Sequence, residues 1–79
     1  MRESVFLNEL RQGQAARVLG LAVPGVSGQR LRDLGLTDGT MVYCVQESPL
    51  GDPRAFLIRG AVIALRGDDS AKVLVEPYE

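Results

Sequence analysis

The sequence contains neither histidine nor tryptophan, and Cys44 is its single cysteine. Without histidine, the chain lacks the commonest general base and the usual zinc ligand. A lone cysteine cannot form the intramolecular disulfide on which small secreted domains usually depend. The sequence therefore favours a non-enzymatic protein of the reducing cytoplasm, and we assign no catalytic residue, no metal ligand and no cofactor.

Neither an excess of basic charge nor a long apolar run is present. Nine basic residues face ten acidic ones, for a formal net charge of -1, whereas nucleic-acid-binding proteins usually carry a basic excess. No segment approaches the ~20 consecutive apolar residues of a membrane-spanning helix, and the first ten residues lack the apolar centre of a signal peptide. We expect a protein that is not membrane-embedded and that has no nucleic-acid partner.

Short segments punctuated by nine glycines make up the chain, a pattern typical of small barrels and sandwiches. A single domain, residues 1–79, is expected, since this length supports one core at most. The predicted strands are 15–23, 41–45, 54–59, 61–66 and 72–76. Between the first two, we predict a short helix capped by Ser27 and closed by Gly35. The fold class is mainly β, a small barrel with a helical turn over residues 7–10.

Three details of these predictions concern single residues or turns. Gly60 separates two strands and indicates a bulge or a sharp bend at a barrel corner. Pro77 is expected to end the last strand because it has no N–H for the ladder. Residues 67–70 are expected to form a turn, and the Asp68-Asp69 pair within it is better explained as a solvated turn than as a metal site.

An apolar residue at the apex of a rigid turn is the main candidate for binding. Leu50 lies in the sequence Pro-Leu-Gly-Asp-Pro, where a turn tends to expose it. Single exposed leucines are common on protein surfaces, so an ordinary surface position is the alternative. Arg30 and Arg32 of the predicted helix add guanidinium groups, which are favoured at interfaces. With the flanking Asp52 and Arg54, these residues form the predicted partner-binding face.

Several ordered motifs together resemble the FeoA family of ferrous iron transport accessory proteins. They are Leu10-x-x-Gly13, Arg30-Leu31-x-Asp33-Leu34-Gly35-Leu36-x-x-Gly39, Pro49-Leu50-Gly51-Asp52-Pro53, Ile58-x-Gly60 and Ile63-Ala64-Leu65-Arg66. The resemblance extends over nearly the whole chain. It implies an SH3-like barrel of five to six strands with one or two short helices. It also implies a cytoplasmic, non-catalytic role in binding the cytosolic portion of FeoB, the membrane GTPase that transports Fe(II), and modulating uptake.

Two other functions remain open from the residues alone. A regulatory or oligonucleotide-binding barrel would need an aromatic platform beside a basic groove. The residues that could supply one are Tyr43, Phe56, Arg54 and Arg59, although alternation predicts that Phe56 is buried.

A direct Fe(II) carrier is the second alternative. It would use carboxylates and the thiol, namely Asp52, Asp68, Asp69 and Cys44. Carboxylates alone make an unselective iron site, and Cys44 lies in an apolar run that predicts core packing. Separately, the sheet edges of so small a barrel can support weak self-association.

Overall fold

Six strands and three short helical segments follow one another along the chain in a computed structural model. It describes residues 3–22 and 25–78, with only the backbone for residues 25–27. The strands are β1 (Val5–Phe6), β2 (Ala15–Leu21), β3 (Met41–Glu47), β4 (Arg54–Ile58), β5 (Ala61–Leu65) and β6 (Val73–Tyr78). The helices are α1 (Gly25–Asp33) and α2 (Gly67–Ser70), and a 3₁₀ turn covers Leu7–Glu9.

All six strands belong to one antiparallel sheet with the order β1-β6-β2-β3-β4-β5. The prediction of a mainly-β fold with five to six strands and one or two short helices is confirmed. The strand that sequence segmentation missed is β1, which has two residues. Two residues are too few to show the alternation of apolar and polar side chains by which a strand is recognised.

The core is one mainly aliphatic cluster in which Phe56 is the aromatic member. Its members are Leu7, Leu10, Ala16, Val18, Leu31, Leu36, Val42, Cys44, Phe56, Ile58, Leu65, Val73 and Val75. Alternation places the members that lie on strands, since successive side chains point to opposite faces, whereas Leu31 comes from helix α1. The predictions that Cys44 and Phe56 pack in the core are confirmed. Burial raises the pKa of the Cys44 thiol, so it stays protonated at neutral pH.

Helix α1 ends in a Schellman motif. The N–H of Leu36 donates to the Leu31 carbonyl over 3.2 Å, and that of Gly35 donates to the Arg32 carbonyl over 2.9 Å. Gly35 has φ 105°, a conformation that side chains other than hydrogen disfavour. The motif returns Leu36 into the core beside Leu31, and both are buried. The predicted closure of the helix by Gly35 is therefore confirmed.

The structure corrects the predicted start of α1 and the predicted turn at residues 67–70. Helix α1 begins at Gly25, so Ser27 lies inside the helix and is not its cap. Val23, the predicted end of the first strand, lies outside the described residues. The 67–70 segment closes a helical turn, because Ser70 N–H donates to the Arg66 carbonyl over 3.0 Å and Ala71 N–H donates to that of Gly67 over 2.9 Å.

Two predictions about the sheet are also wrong. Gly60 is neither at a bulge nor at a bend within a strand at a barrel corner. With Arg59 it forms the tight turn that joins the paired residues Ile58 and Ala61, and both turn residues have positive φ. This is the backbone geometry preferred in two-residue hairpins.

Pro77 does not end the last strand, since it pairs with Ala16 inside β6. Among the described residues β1 borders β6 only at positions 74 and 75, so the missing N–H at Pro77 is tolerated at an edge.

Candidate partner-binding surface

Residues 48–53, which we call the Leu50 loop, connect β3 to β4 and present an apolar side chain to solvent. The N–H of Gly51 donates to the Ser48 carbonyl over 2.8 Å, and the Ser48 hydroxyl donates to the Pro53 carbonyl. Pro49 occupies the second position of this turn, where its fixed φ is favourable. Leu50 is 95% exposed at the turn's corner. The loop is therefore closed by its own hydrogen bonds while its leucine remains free to contact a partner.

Arg54, at the first residue of β4, fastens the base of the Leu50 loop. Its side chain is only 17% exposed, and Nη1 donates to the Asn8 carbonyl in the 3₁₀ turn. Nη2 lies 3.6 Å from Oε1 of Glu47, the last residue of β3. Arg54 thus links the N-terminal segment to both strands that carry the loop.

Glu47 accepts two further hydrogen bonds at the base of the Leu50 loop. Its Oε2 accepts hydrogen bonds from Gln12 N–H over 2.8 Å and from Arg11 Nε over 3.2 Å. The Gln12 N–H, then Arg11 and Arg54, hold the pKa of Glu47 below its usual range. The carboxylate is therefore ionised at neutral pH, as a partner of two guanidinium groups should be.

Asp52 connects the other side of the Leu50 loop to helix α2. Its Oδ1 accepts a hydrogen bond from Gly67 N–H over 2.9 Å at the start of that helix, where a carboxylate is favoured. A Cβ at position 67 would lie 3.0 Å from Asp52 Oδ2, so glycine permits this approach. Asp69 in the same helix binds Arg30 of α1, with Nη2 and Oδ2 2.9 Å apart.

The structure therefore connects four of the five residues predicted for the binding face. Leu50, Asp52 and Arg54 share the loop and its base, and α2 links Asp52 to Arg30 through Gly67 and Asp69. Arg32 is exposed in the last turn of α1. In the part of the chain that the structure describes, it has no hydrogen bond or ion pair that would join it to this group.

A shallow recess lies beside the Leu50 loop. Its volume is about 210 Å³, and its lining comes from Gln46, Ser48, Pro53, Arg54, Ala55 and Ala64. The protruding leucine and the adjoining recess give this end of the sheet a shape to which a complementary surface can bind. An apolar centre surrounded by polar groups is the common arrangement of protein–protein interfaces.

Sequence reasoning missed Glu47, Arg11 and Asn8, which hold the loop without belonging to it. The hydrogen bond from Arg11 to Glu47 joins residues 36 positions apart, and the one from Arg54 to Asn8 spans 46 positions. No local pattern reveals such pairs. The only signal was Glu47 at the end of a strand, directly before a turn, which is also a common place for a solvated carboxylate.

The residue sets of the two alternative functions are dispersed. Phe56 is fully buried and Arg54 is engaged in the loop base, so neither can join Tyr43 and Arg59 in a stacking platform. Asp52 and Asp69 bind Gly67 and Arg30 respectively.

Within residues 3–22 and 25–78, no three acidic or cysteine side chains converge on a point where a metal ion could bind. The same residues include no helix long and apolar enough to cross a membrane.

Comparison with known proteins shows which family this chain matches. The model of the FeoA domain matches residues 5–77. The FeoA-like protein of Clostridium acetobutylicum superimposes with a TM-score of 0.87 at 30% identity, covering 96% of this chain and 88% of that one. Zinc-complexed FeoA from Stenotrophomonas maltophilia, described as a prokaryotic SH3 domain protein, superimposes at 0.80 with 28% identity, covering 90% and 88%. The predicted SH3-like architecture is confirmed.

A curated relative joins this domain to a much larger protein. The Fe(2+) transport protein A/Fe(2+) transporter FeoB fusion protein of Porphyromonas gingivalis is 34% identical over 70 residues, which are 89% of this chain and 8% of the fusion protein. The chain thus spans less than a tenth of that relative. Since the family model covers nearly all of its length, the chain belongs to the FeoA domain family, which is associated with ferrous iron transport.

Proposed function

We propose that this chain is a cytoplasmic accessory protein that binds the cytosolic portion of a FeoB-type transporter and modulates ferrous iron uptake without catalysing a reaction. The observation that carries the proposal is the Porphyromonas gingivalis fusion, in which a segment similar to this chain is part of the same polypeptide as the transporter. Fusion keeps two modules at a high effective concentration, which favours those that act on one another.

The Leu50 loop is the surface best suited to this contact. Fully burying a leucine is worth about 1.5–3 kcal/mol, which corresponds to about 10- to 150-fold in affinity. Leu50 is almost fully exposed, so nearly all of that free energy is available to an association. Because Ser48, Asp52 and Arg54 already fix the loop, little conformational entropy is lost when a partner binds it.

The chemistry of the remaining residues supports a non-catalytic role. The sequence offers no histidine, and its one thiol is buried with a raised pKa. The acidic side chains around the loop act as hydrogen-bond acceptors for Gly67, Gln12 and Arg11. The FeoA of Stenotrophomonas maltophilia is discussed as a candidate ferrous iron transport activating factor, which agrees with modulation of a partner.

Binding and uptake measurements test the proposal together. The purified chain should bind the cytosolic portion of the FeoB-type transporter from the same organism in calorimetric titration. Deletion of the chain's gene should change Fe(II) uptake, and restoring the gene should reverse the change. Absence of binding combined with unaltered uptake would overturn the proposal.

A further inference from the structure

The edge strand β5 lacks the devices that normally prevent sheet edges from pairing. In the described part of the chain, β5 pairs with β4 alone. Its sequence is Ala-Val-Ile-Ala-Leu, with no charge and no proline, whereas natural edge strands usually carry Lys, Pro or a bulge. Val62 in its middle is 66% exposed. The opposite edge, β1, has only two residues and offers little to pair with.

The register of the hairpin shows which backbone groups of β5 face outward. Ile58 and Ala61 flank the two-residue turn, so they form a hydrogen-bonded pair and the pattern alternates from there. Residues 61, 63 and 65 therefore direct their N–H and C=O groups toward β4. Val62 and Ala64 direct theirs away from the sheet, where no described backbone group binds them.

We propose that two copies of this chain associate through their β5 strands, which pair antiparallel about a two-fold axis at Ile63. In this register Val62 of each copy faces Ala64 of the other. Each such pair exchanges two backbone hydrogen bonds, so four outward-facing N–H groups are satisfied at once. The register is self-complementary, which is what a two-fold contact requires.

Side chains and charges fit the same arrangement. Val62 and Ala64 lie on the outer face of the sheet, so Val62 of one copy packs on the small Ala64 of the second copy. Arg59 precedes β5 and Asp68 follows it, both exposed. Antiparallel pairing about Ile63 places Arg59 of one copy opposite Gly67 of the other, between the exposed Arg66 and Asp68, so Asp68 offsets the repulsion between the two arginines. Arg66 faces Gly60 of the second copy, which has no side chain to obstruct it.

The outer face of the sheet gives the pairing a further apolar component. The residues aligned across β3, β4 and β5 are Tyr43, Leu57 and Val62, and Tyr43 is 45% exposed. Joining two β5 edges makes this apolar row continuous with Ala64 of the second copy. The contact is only one short strand wide, so we expect a reversible dimer with a dissociation constant on the order of 10⁻⁴ M.

Sedimentation equilibrium of the full chain, from about 10⁻⁵ to 10⁻³ M, tests the proposal without any transporter. The apparent mass should rise from that of the 8.5 kDa monomer toward twice that value. Ala64→Lys places a lysine on the outer face at the pairing position and should weaken association at least tenfold. Ala71→Lys adds the same charge at an exposed position beyond α2 and serves as the matched control, which should associate as the wild type does.

Three results would overturn the proposal. One is a monomer at every concentration. Another is equal dissociation constants for both lysine variants, which would mean that another surface forms the dimer. The third is unaltered association of the single variant Asp68→Lys. This lysine would lie near Arg59 of the second copy at both ends of the paired strands, so it should weaken association. Circular dichroism of each variant would show whether the sheet itself is retained.

Discussion

Two leucines beside positive-φ glycines have opposite roles in this molecule. Leu36 follows Gly35 at the end of α1 and is fully buried, whereas Leu50 precedes Gly51 in the Leu50 loop and is 95% exposed. The first turn is closed by backbone bonds that return the chain into the core. The second is closed onto itself and held from below by Arg54. The same local chemistry therefore supports stability in one place and recognition in the other.

Truncating each leucine should separate these roles most clearly. Leu36→Ala leaves a cavity in the core, and we expect it to lower the free energy of unfolding by about 2–5 kcal/mol. In so small a domain this is a large part of the total. Leu50→Ala should change it by less than about 0.5 kcal/mol. Urea denaturation measures both; similar losses would show that Leu50 packs on the protein in solution.

Replacing Gly35 by alanine should lower the free energy of unfolding more than replacing Gly51, in the same order as the neighbouring leucines. A Cβ at Gly35, φ 105°, would lie 2.9 Å from Cδ of Arg59 and 3.1 Å from Cγ2 of Ile58. We expect Gly35→Ala to cost about 2–3 kcal/mol from strain and crowding. Gly51→Ala, at φ 83° and with Arg54 Nη2 3.6 Å from the added Cβ, should cost about 1 kcal/mol.

Gly20 is the control for this series. It has no positive φ, and no atom of the described residues lies within 4 Å of an added Cβ, so Gly20→Ala should be neutral or slightly stabilising. Thermal unfolding of the three variants gives the order directly. A cost at Gly51 equal to that at Gly35 would mean that the Leu50 loop is as tightly packed as the helix end.

Removing the Arg54 guanidinium should loosen the Leu50 loop more than it unfolds the domain. Arg54→Met leaves the Asn8 carbonyl and one Glu47 oxygen without this donor, at a cost of about 1–3 kcal/mol. The amide of Gly51 should then exchange faster with solvent, as measured by hydrogen exchange. Arg17→Met is the control, because Arg17 pairs with Glu76 at an exposed position and should cost less than about 1 kcal/mol. Unchanged Gly51 exchange in Arg54→Met would contradict the role given to Arg54.

The smallest expected effect is on the pH dependence of stability. The pKa of Glu47 is lowered in the folded protein, mainly by Gln12 N–H and Arg11. Its contribution is therefore present above the ordinary glutamate pKa of about 4.3, and it is lost as the pH falls through the lower folded-state pKa. Unfolding measured between about pH 5 and 2 should depend less on pH in Glu47→Gln. Equal slopes for the two proteins would rule out this contribution.

The sequence predicted what depends on local patterns. The alternation of β3 placed Cys44 in the core, and Gly35 marked the end of α1, because each signal involves neighbouring residues. The two prolines likewise predicted the turn that exposes Leu50. The contact that holds this turn could not be predicted, since Arg54 binds the carbonyl of Asn8, 46 positions away in the sequence. Pro77 inside β6 also escaped prediction, because its tolerance depends on how short β1 is.

The central claim is that Leu50 anchors the chain to the cytosolic portion of a FeoB-type transporter. Titration calorimetry with wild type, Leu50→Asp and Val62→Asp tests it most directly, below the concentration at which the chain pairs with itself. Val62 is also an exposed apolar residue but lies toward the turn at the other end of the β4–β5 hairpin. We predict that Leu50→Asp lowers affinity at least tenfold while Val62→Asp binds as the wild type does. Equal binding by all three proteins would contradict the claim.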